Sequence, residues 1–574
     1  MDSGREAIAS RQGIEVSNGC DARGEGEKDK DLEVGFKASS ENSGLSSILP
    51  SPQSDYDQAI WRATTLDNSR LDSSGWVKNA ATKASKTPRA LEAALNTEFE
   101  IKWDGPDDPN NPLNWPILKK IFILSSVALQ TLMVVFYSTS YLSGSPGMMK
   151  EFGIESSTTI TLGMTTYMIG LAIGPLVLAP MSELYGRRPV YLVSLFLFLV
   201  FVIPACVAKN FTTILVVRFF VALAGSVTLS NAPGSLGDIF KEDQRVLAFS
   251  IYFLAPMNGP ALGPIIGGFV YQGAGWRWTN WLVLAMAAVL FATSLAIPET
   301  YTPVLMRQKA ERKRKETGND RYMSRFCHKD GDVALWRLVR TNLQRPLIML
   351  FTEPICIFWD LYIAAIYGVL YLCFTAYPIV FSQIRGWEPG ISGLSFCGIS
   401  VGTALASALD PVNRRIYKMH RIDPTTGKRP PEARIACVCL GAVLTPAAIL
   451  WFAWTCVPAR IHWIWPLLSG VPFGLGNTFI FLQGSIYLVD SYDVYAASAL
   501  AGNTVTRCLF GGIIPLFGPK MYANLGPNWA ATTFGLITAA LIPIPWGFYK
   551  WGGKVRMRSP MLLRLQKEKE ERGE

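Results

Sequence analysis

A dozen apolar blocks, most of them twenty or more residues long, run through this chain, and nothing else in it limits the possible folds so sharply. A block of that length crosses a hydrocarbon layer of ~30 Å as a helix. The blocks lie near 118–142, 158–181, 189–208, 211–237, 246–271, 279–297, 347–381, 390–410, 435–456, 462–488, 496–519 and 529–550. The seventh is longer than a bilayer is thick and is expected to tilt or to project. Charged residues are 17% of the chain against 49% hydrophobic, whereas a soluble domain carries about a quarter charged. The expected fold class is an all-α membrane protein of twelve transmembrane helices.

The hydrophilic stretch 299–345 divides the blocks six and six. The expected organisation is a disordered cytosolic tail over 1–102, a six-helix half over 103–298 and a cytoplasmic loop over 299–345. A second six-helix half follows over 346–550, then a cytosolic tail over 551–574. The first hundred residues hold too few large apolar side chains to offset the entropy of ordering. No basic start leads into an apolar core there, so no cleavable signal is expected. Trp103 to Pro116 is crowded with Pro and Asx residues and reads as a turn leading into the membrane. Basic residues cluster in alternate connections: Arg187 and Arg188, Lys241 and Arg245, the run Arg307 to Lys315, and Arg414 to Arg429. The positive-inside rule makes those connections and both termini cytoplasmic. Asn210-Phe211-Thr212 is a glycosylation sequon on the other side, in a loop so short that modification is not expected.

Several function classes fall away. The net charge of +10 sits between apolar blocks, as cytoplasmic loops require, so nucleic acid is not an expected partner. Most of the ten cysteines lie inside apolar blocks, and with three histidines in the chain neither a metal site nor a disulfide framework is expected. There is no phosphate-binding loop, so ATP does not drive the protein directly. No nucleophile–base constellation is visible, and an enzyme is not expected.

The two halves echo each other. Glu183 is followed four and five residues later by Arg187 and Arg188, and Asp410 by Arg414 and Arg415, each set after the second span of its half. Internal repeats of this kind mark transporter folds, whose substrate site lies between the repeats near the bilayer midplane. Ala179-Pro180-Met181-Ser182-Glu183-Leu184-Tyr185-Gly186-Arg187-Arg188-Pro189 resembles the loop signature of the major facilitator superfamily, with Ala179 in place of a usual Gly and Glu183 in place of Asp. Gly259-Pro260-Ala261-Leu262-Gly263-Pro264-Ile265-Ile266-Gly267-Gly268 resembles that superfamily's antiporter motif, whose earlier glycine falls at Ser250. The signature around Arg218 matches only at the arginine, with Val221 and Ala222 replacing Gln and Gly. Asp108-Pro109 through Asn114-Trp115-Pro116, Pro298-Glu299-Thr300-Tyr301, Pro431-Glu432-Ala433-Arg434 and Ala496 to Leu500 look like fungal twelve-spanner drug:proton antiporters, the group of polyamine and azole exporters. The resemblance implies two pseudo-symmetric halves and export of small molecules against protons, with Glu183, Gly186, Arg187 and Arg188 as a conformational lock.

Charged residues at membrane depth are costly and are functional candidates. Glu353, Asp360 and Tyr367 recur every seven residues and would share a helix face toward a central cavity. Asp360 is the deeper carboxyl and the better proton site; Glu353 is either a second one or a solvated end residue. Arg507, with Asn503 one turn before it, and Arg218 are the deep cations of the two halves. Gln130, Tyr137, Asn258, Asn477 and Gln483 either line a cavity or bond helix to helix. The expectation is a monomeric, cofactor-free, proton-driven exporter of hydrophobic or cationic compounds such as drugs, toxins or secondary metabolites, in the plasma membrane. Uptake of a polyamine or nutrient, and a non-transporting membrane sensor, remain open alternatives.

Overall fold

The computed structural model describes residues 99–324, 335–422, 429–492 and 495–563. The expected disordered tail lies, up to residue 98, outside the described residues, as do 564–574. Among the described residues, eleven helical stretches are long and apolar enough to cross a membrane. Ten correspond to one span each: Ile117–Ser143, Ser157–Tyr185, Arg187–Cys206, Phe211–Ile239, Leu247–Ala274, Trp276–Leu295, Pro354–Ile384, Pro389–Ala408, Pro431–Thr455 and Ile464–Tyr492. The last stretch, Ala496–Arg556, has 61 residues. A straight helix of that length would measure about 90 Å, three membranes deep. Gly526 interrupts it with φ 74° and ψ 159°, a backbone state open to glycine, and Pro527 starts a new helix. Residues 496–525 and 527–556 are therefore spans 11 and 12, and the twelve-helix fold holds.

The seventh apolar block is not one tilted helix. A connecting helix, Leu335–Thr352, precedes span 7, and Glu353 between them is extended, with φ −97° and ψ 114°. Proline disfavours helical backbone in the residue before it, so Pro354 forces the break. Only Asp360 and Tyr367 remain on span 7 itself, and Glu353 leaves the expected stripe.

We call the side bearing Arg187, Arg188, Arg414 and Arg415 the basic face. There the segment before span 1 folds back on the central loop. Strand β1 (Glu100–Ile101) pairs in parallel with β2 (Met323–Ser324). The basic run forms a loop helix, Thr302–Thr317. Its Lys309 pairs with Asp104 at 2.8 Å and Asp108 at 3.4 Å. Asp108 organises the lead-in turn, accepting N–H groups from Asn110 at 2.9 Å and Asp104 at 3.1 Å. Burial alone would push the Asp108 carboxyl up, but those N–H bonds and the Lys309 charge outweigh it and hold the group below the usual range.

The glycines of the span-5 motif pack on two neighbours. A Cβ on Gly259 would come within 3.1 Å of the Leu132 carbonyl, and one on Gly267 within 3.2 Å of Ser140. One on Gly263 would strike Thr139 Oγ1 and lie 2.9 Å from the Phe136 carbonyl. Four-residue spacing thus lays span 5 directly against span 1. On the other side of the helix, a Cβ on Gly268 would lie 2.5 Å from the Pro389 carbonyl, and Gly393 abuts Pro264, so the same motif also seats span 8 of the second half.

Candidate functional site

Asp360 lies two turns into span 7 and is 1% exposed. Asn503 of span 11 donates to its Oδ1 at 2.9 Å, while Oδ2 has no partner. Gly502 makes room beside it, since a Cβ there would sit 3.6 Å from Oδ2. Among the described residues this enclosed carboxyl meets one neutral donor and no cation. Arg507, one turn beyond Asn503, does not pair with Asp360. Its guanidinium lies 4.7 Å from the centre of the Phe481 ring and 5.3 Å from that of Tyr367. Gln483 and Asn477 of span 10 are buried, make no hydrogen bond among the described residues, and keep their amides clear of full enclosure.

Arg218 is built differently. It is wholly enclosed, and it donates to the carbonyls of Gly163 at 2.6 Å and Ser138 at 3.1 Å, and to that of Tyr137. Tyr137, Tyr141 and Tyr167 surround the guanidinium with ring centres 4.2 to 4.9 Å away. No carboxylate joins it among the described residues, so the cation ties spans 1, 2 and 4 together through carbonyls and ring faces. A polar path runs between the two deep cations. Tyr367 donates to Tyr371 at 3.3 Å, and Tyr371 meets the Ser138 hydroxyl at 3.1 Å, across the two halves.

Gln130 and Tyr137 are engaged between helices. Gln130 donates to Ser294 of span 6 at 2.8 Å, and Tyr137 to Asn280 of the same span at 2.8 Å. Asn258 bonds its own helix at Leu254. Asn210 caps the start of span 4, accepting from the Thr213 N–H at 2.8 Å, which gives the sequon's asparagine a structural task. A small apolar pocket in the second half is lined by Cys373, Tyr377, Phe452 and Tyr522 and includes neither Asp360 nor Arg507.

At the lock, the arginines meet two acids, Asp238 and Glu299, whose place there the sequence did not indicate. Arg187 approaches Asp238 at 3.5 Å and donates to Ser182 at 3.0 Å. Glu299 accepts the backbone N–H of both Arg187 and Arg188 at 3.0 Å, and also those of Thr300 and Tyr301. Gly186 adopts φ 101°, and a Cβ there would strike the Glu299 carboxylate. Glu183 is exposed and makes no ion pair among the described residues. In the second half Asp410 pairs with Arg414 at 2.7 Å and accepts from Ser250 of span 5 at 3.2 Å. Arg415 has no ion pair among the described residues.

Away from the basic face the halves close on each other. Gln272 of span 5 donates to Glu388 at 2.6 Å and accepts from the Gly390 N–H at 3.1 Å. Thr165 of span 2 donates to the Gly512 carbonyl of span 11 at 2.7 Å.

Twelve membrane-length helices in two six-helix halves define a polytopic membrane protein. The Major Facilitator Superfamily profile matches residues 127–515. The chain belongs to that superfamily. It is 41% identical over 462 residues to the MFS-type efflux pump MFS2 of Trichophyton rubrum, covering 80% of this chain and 77% of that one. It is 38% identical over 500 residues to the citrinin biosynthesis cluster MFS transporter mrr1 of Monascus ruber, covering 86% and 96%. The multidrug transporter mdrA of Aspergillus fumigatus is 41% identical over 461 residues, covering 80% and 75%. Among solved structures, the xylose transporter XylE of E. coli in a partially occluded inward-open conformation superposes with a TM-score of 0.56, 13% identity, and coverage of 75% and 98%. That likeness is one of fold.

Proposed function

We propose that the protein exports small hydrophobic or cationic compounds, among them drugs, toxins or secondary metabolites, in exchange for protons. The observation that carries this is Asp360: a membrane-depth carboxyl, 1% exposed, with one oxygen bonded to Asn503 and the other free. A carboxyl so placed takes a proton when the site faces the acidic side and gives it up when a substrate needs the space or the charge. Tyr367, Phe481 and Gln483 supply ring faces and an amide for an amphipathic substrate. The named efflux pumps and multidrug transporters among its relatives support export. In this reading the basic face is cytoplasmic, both termini lie there, and the membrane is the plasma membrane. The protein works as a monomer with no cofactor and no catalytic chemistry, its energy drawn from the proton gradient.

The test uses inside-out vesicles and rhodamine 6G, a fluorescent amphipathic cation, beside a panel of organic toxins. Uphill accumulation should need an acidic lumen and stop when a protonophore is added. Accumulation that persists without a proton gradient would refute the coupling.

A further inference from the structure

Ser559 follows the last span, within Arg556-Met557-Arg558-Ser559-Pro560. It is fully enclosed, donates to Glu353 Oε2 and accepts the Leu562 N–H at 3.3 Å. The same Glu353 oxygen accepts from Tyr492, at the end of span 10, at 3.2 Å, and Oε1 accepts the Met561 N–H at 3.0 Å. Glu353 is 2% exposed and has no ion pair among the described residues. Val555, Met561 and Leu562 pack against the cluster containing Met349, Ile355 and Trp359. The segment after span 12 is thus fastened to the joint where the connecting helix turns into span 7.

A buried carboxylate held only by neutral donors depends on each of them. We propose that Ser559 is a phosphorylation site, and that its modification releases the C-terminal segment from Glu353. A cytosolic protein kinase would transfer the γ-phosphoryl group of ATP to Ser559 Oγ, forming a P–O ester bond as the anhydride bond breaks. The hydroxyl proton is lost and ADP departs. The ester oxygen has no hydrogen left to donate, and the phosphate sets a charge of about −1.5 to −2 against the enclosed Glu353 carboxylate. The enclosed hydroxyl becomes accessible through local opening of the segment after the last span. Phosphorylation then traps the open form. An arginine three residues before the serine and a proline after it are features that protein kinases read in an extended strand. The modification rests on the basic face being cytosolic, as proposed above; the latch does not.

The experiment treats the purified full-length chain in detergent with trypsin and follows cleavage after Arg558. Ser559→Asp should be cut at least about ten-fold faster than the wild type, because a negative charge opens the segment. Ser559→Ala, which takes one donor from Glu353 but adds no charge, should be cut faster than the wild type and several-fold slower than Ser559→Asp. Adding Glu353→Gln to Ser559→Asp should restore protection to within about three-fold, since the amide donates to the new carboxylate. Cleavage of Ser559→Asp at the wild-type rate, or no protection in the double variant, overturns the latch. Protein recovered from a fungal host with phosphatase inhibitors should yield the peptide phosphorylated at Ser559. Recovery of that peptide only unmodified, in growing and starved cells alike, overturns the modification while leaving proton-coupled export untouched.

Discussion

Ser250 and Asp410 meet across the two halves, hydroxyl to carboxylate, at 3.2 Å. At the other end of the same seam Gln272 reaches Glu388 at 2.6 Å. Spans 5 and 8 are therefore clasped near both faces, with the glycine-rich stretch between. Rocking of the halves must loosen one clasp at a time, because packed helices shift between discrete arrangements. Gln272→Ala should favour opening of the face away from Arg187. Spin labels at the exposed positions Lys209 and Arg460, one in each half, report it. Their distance distribution should move to longer values in Gln272→Ala and not in Ser250→Ala. Unchanged distances in both would remove the gating role from this seam.

Gly263 tests the packing of span 5 on span 1. Gly263→Leu places a side chain where Thr139 Oγ1 and the Phe136 carbonyl already are, and folded protein should be lost. Gly273, ten residues on, faces open space, with nothing within 4 Å of where a Cβ would stand. Gly273→Ala should be neutral or stabilise the helix by up to about 1 kcal/mol. Membrane yield and thermal melting check both.

Arg218 distinguishes a fixed bridge from a proton relay. Lysine cannot reproduce a planar fork on three carbonyls within a ring of tyrosines. Arg218→Lys should cost about 3 kcal/mol or more of stability. Protein that survives should retain its proton coupling ratio. A variant that melts like the wild type but transports without protons would place Arg218 in the relay instead.

The lead-in turn carries a pH prediction. The Asp108 carboxyl titrates below its ordinary value, so its stabilising effect is present above about pH 4 and is lost only as pH falls through the lower, folded-state value. Pepsin nicking near Leu113 to Trp115, followed over about pH 2 to 5, should begin below the ordinary aspartate range in the wild type. In Asp108→Ala nicking should occur across the whole range.

Spans and halves were legible because hydrophobic length is a local property, written into each block. Breaks that depend on single residues were legible only where a proline or glycine was weighed. Pro354 carried the signal that Glu353 leaves the helix, and Gly526-Pro527 the signal for the last turn. Within the site, the depth of Asp360 and Arg507 could be read from their place in apolar blocks. Their partners could not, because Asn503, Tyr367 and Phe481 reach them from different helices or by rotamer choice. The contacts of Asp238 and Glu299 with the lock arginines were illegible for the same reason. Each lies at a span end, where a carboxylate is ordinarily solvated, and only the fold turns them on Arg187 and its backbone.

Proton release on substrate binding tests the role of Asp360 most directly. In weakly buffered detergent solution near neutral pH, a saturating compound from the export panel should displace protons from the wild type, read by a pH indicator. Asp360→Asn should bind the compound and release none. Equal proton release from Asp360→Asn would contradict the assignment of the coupling proton to this carboxyl.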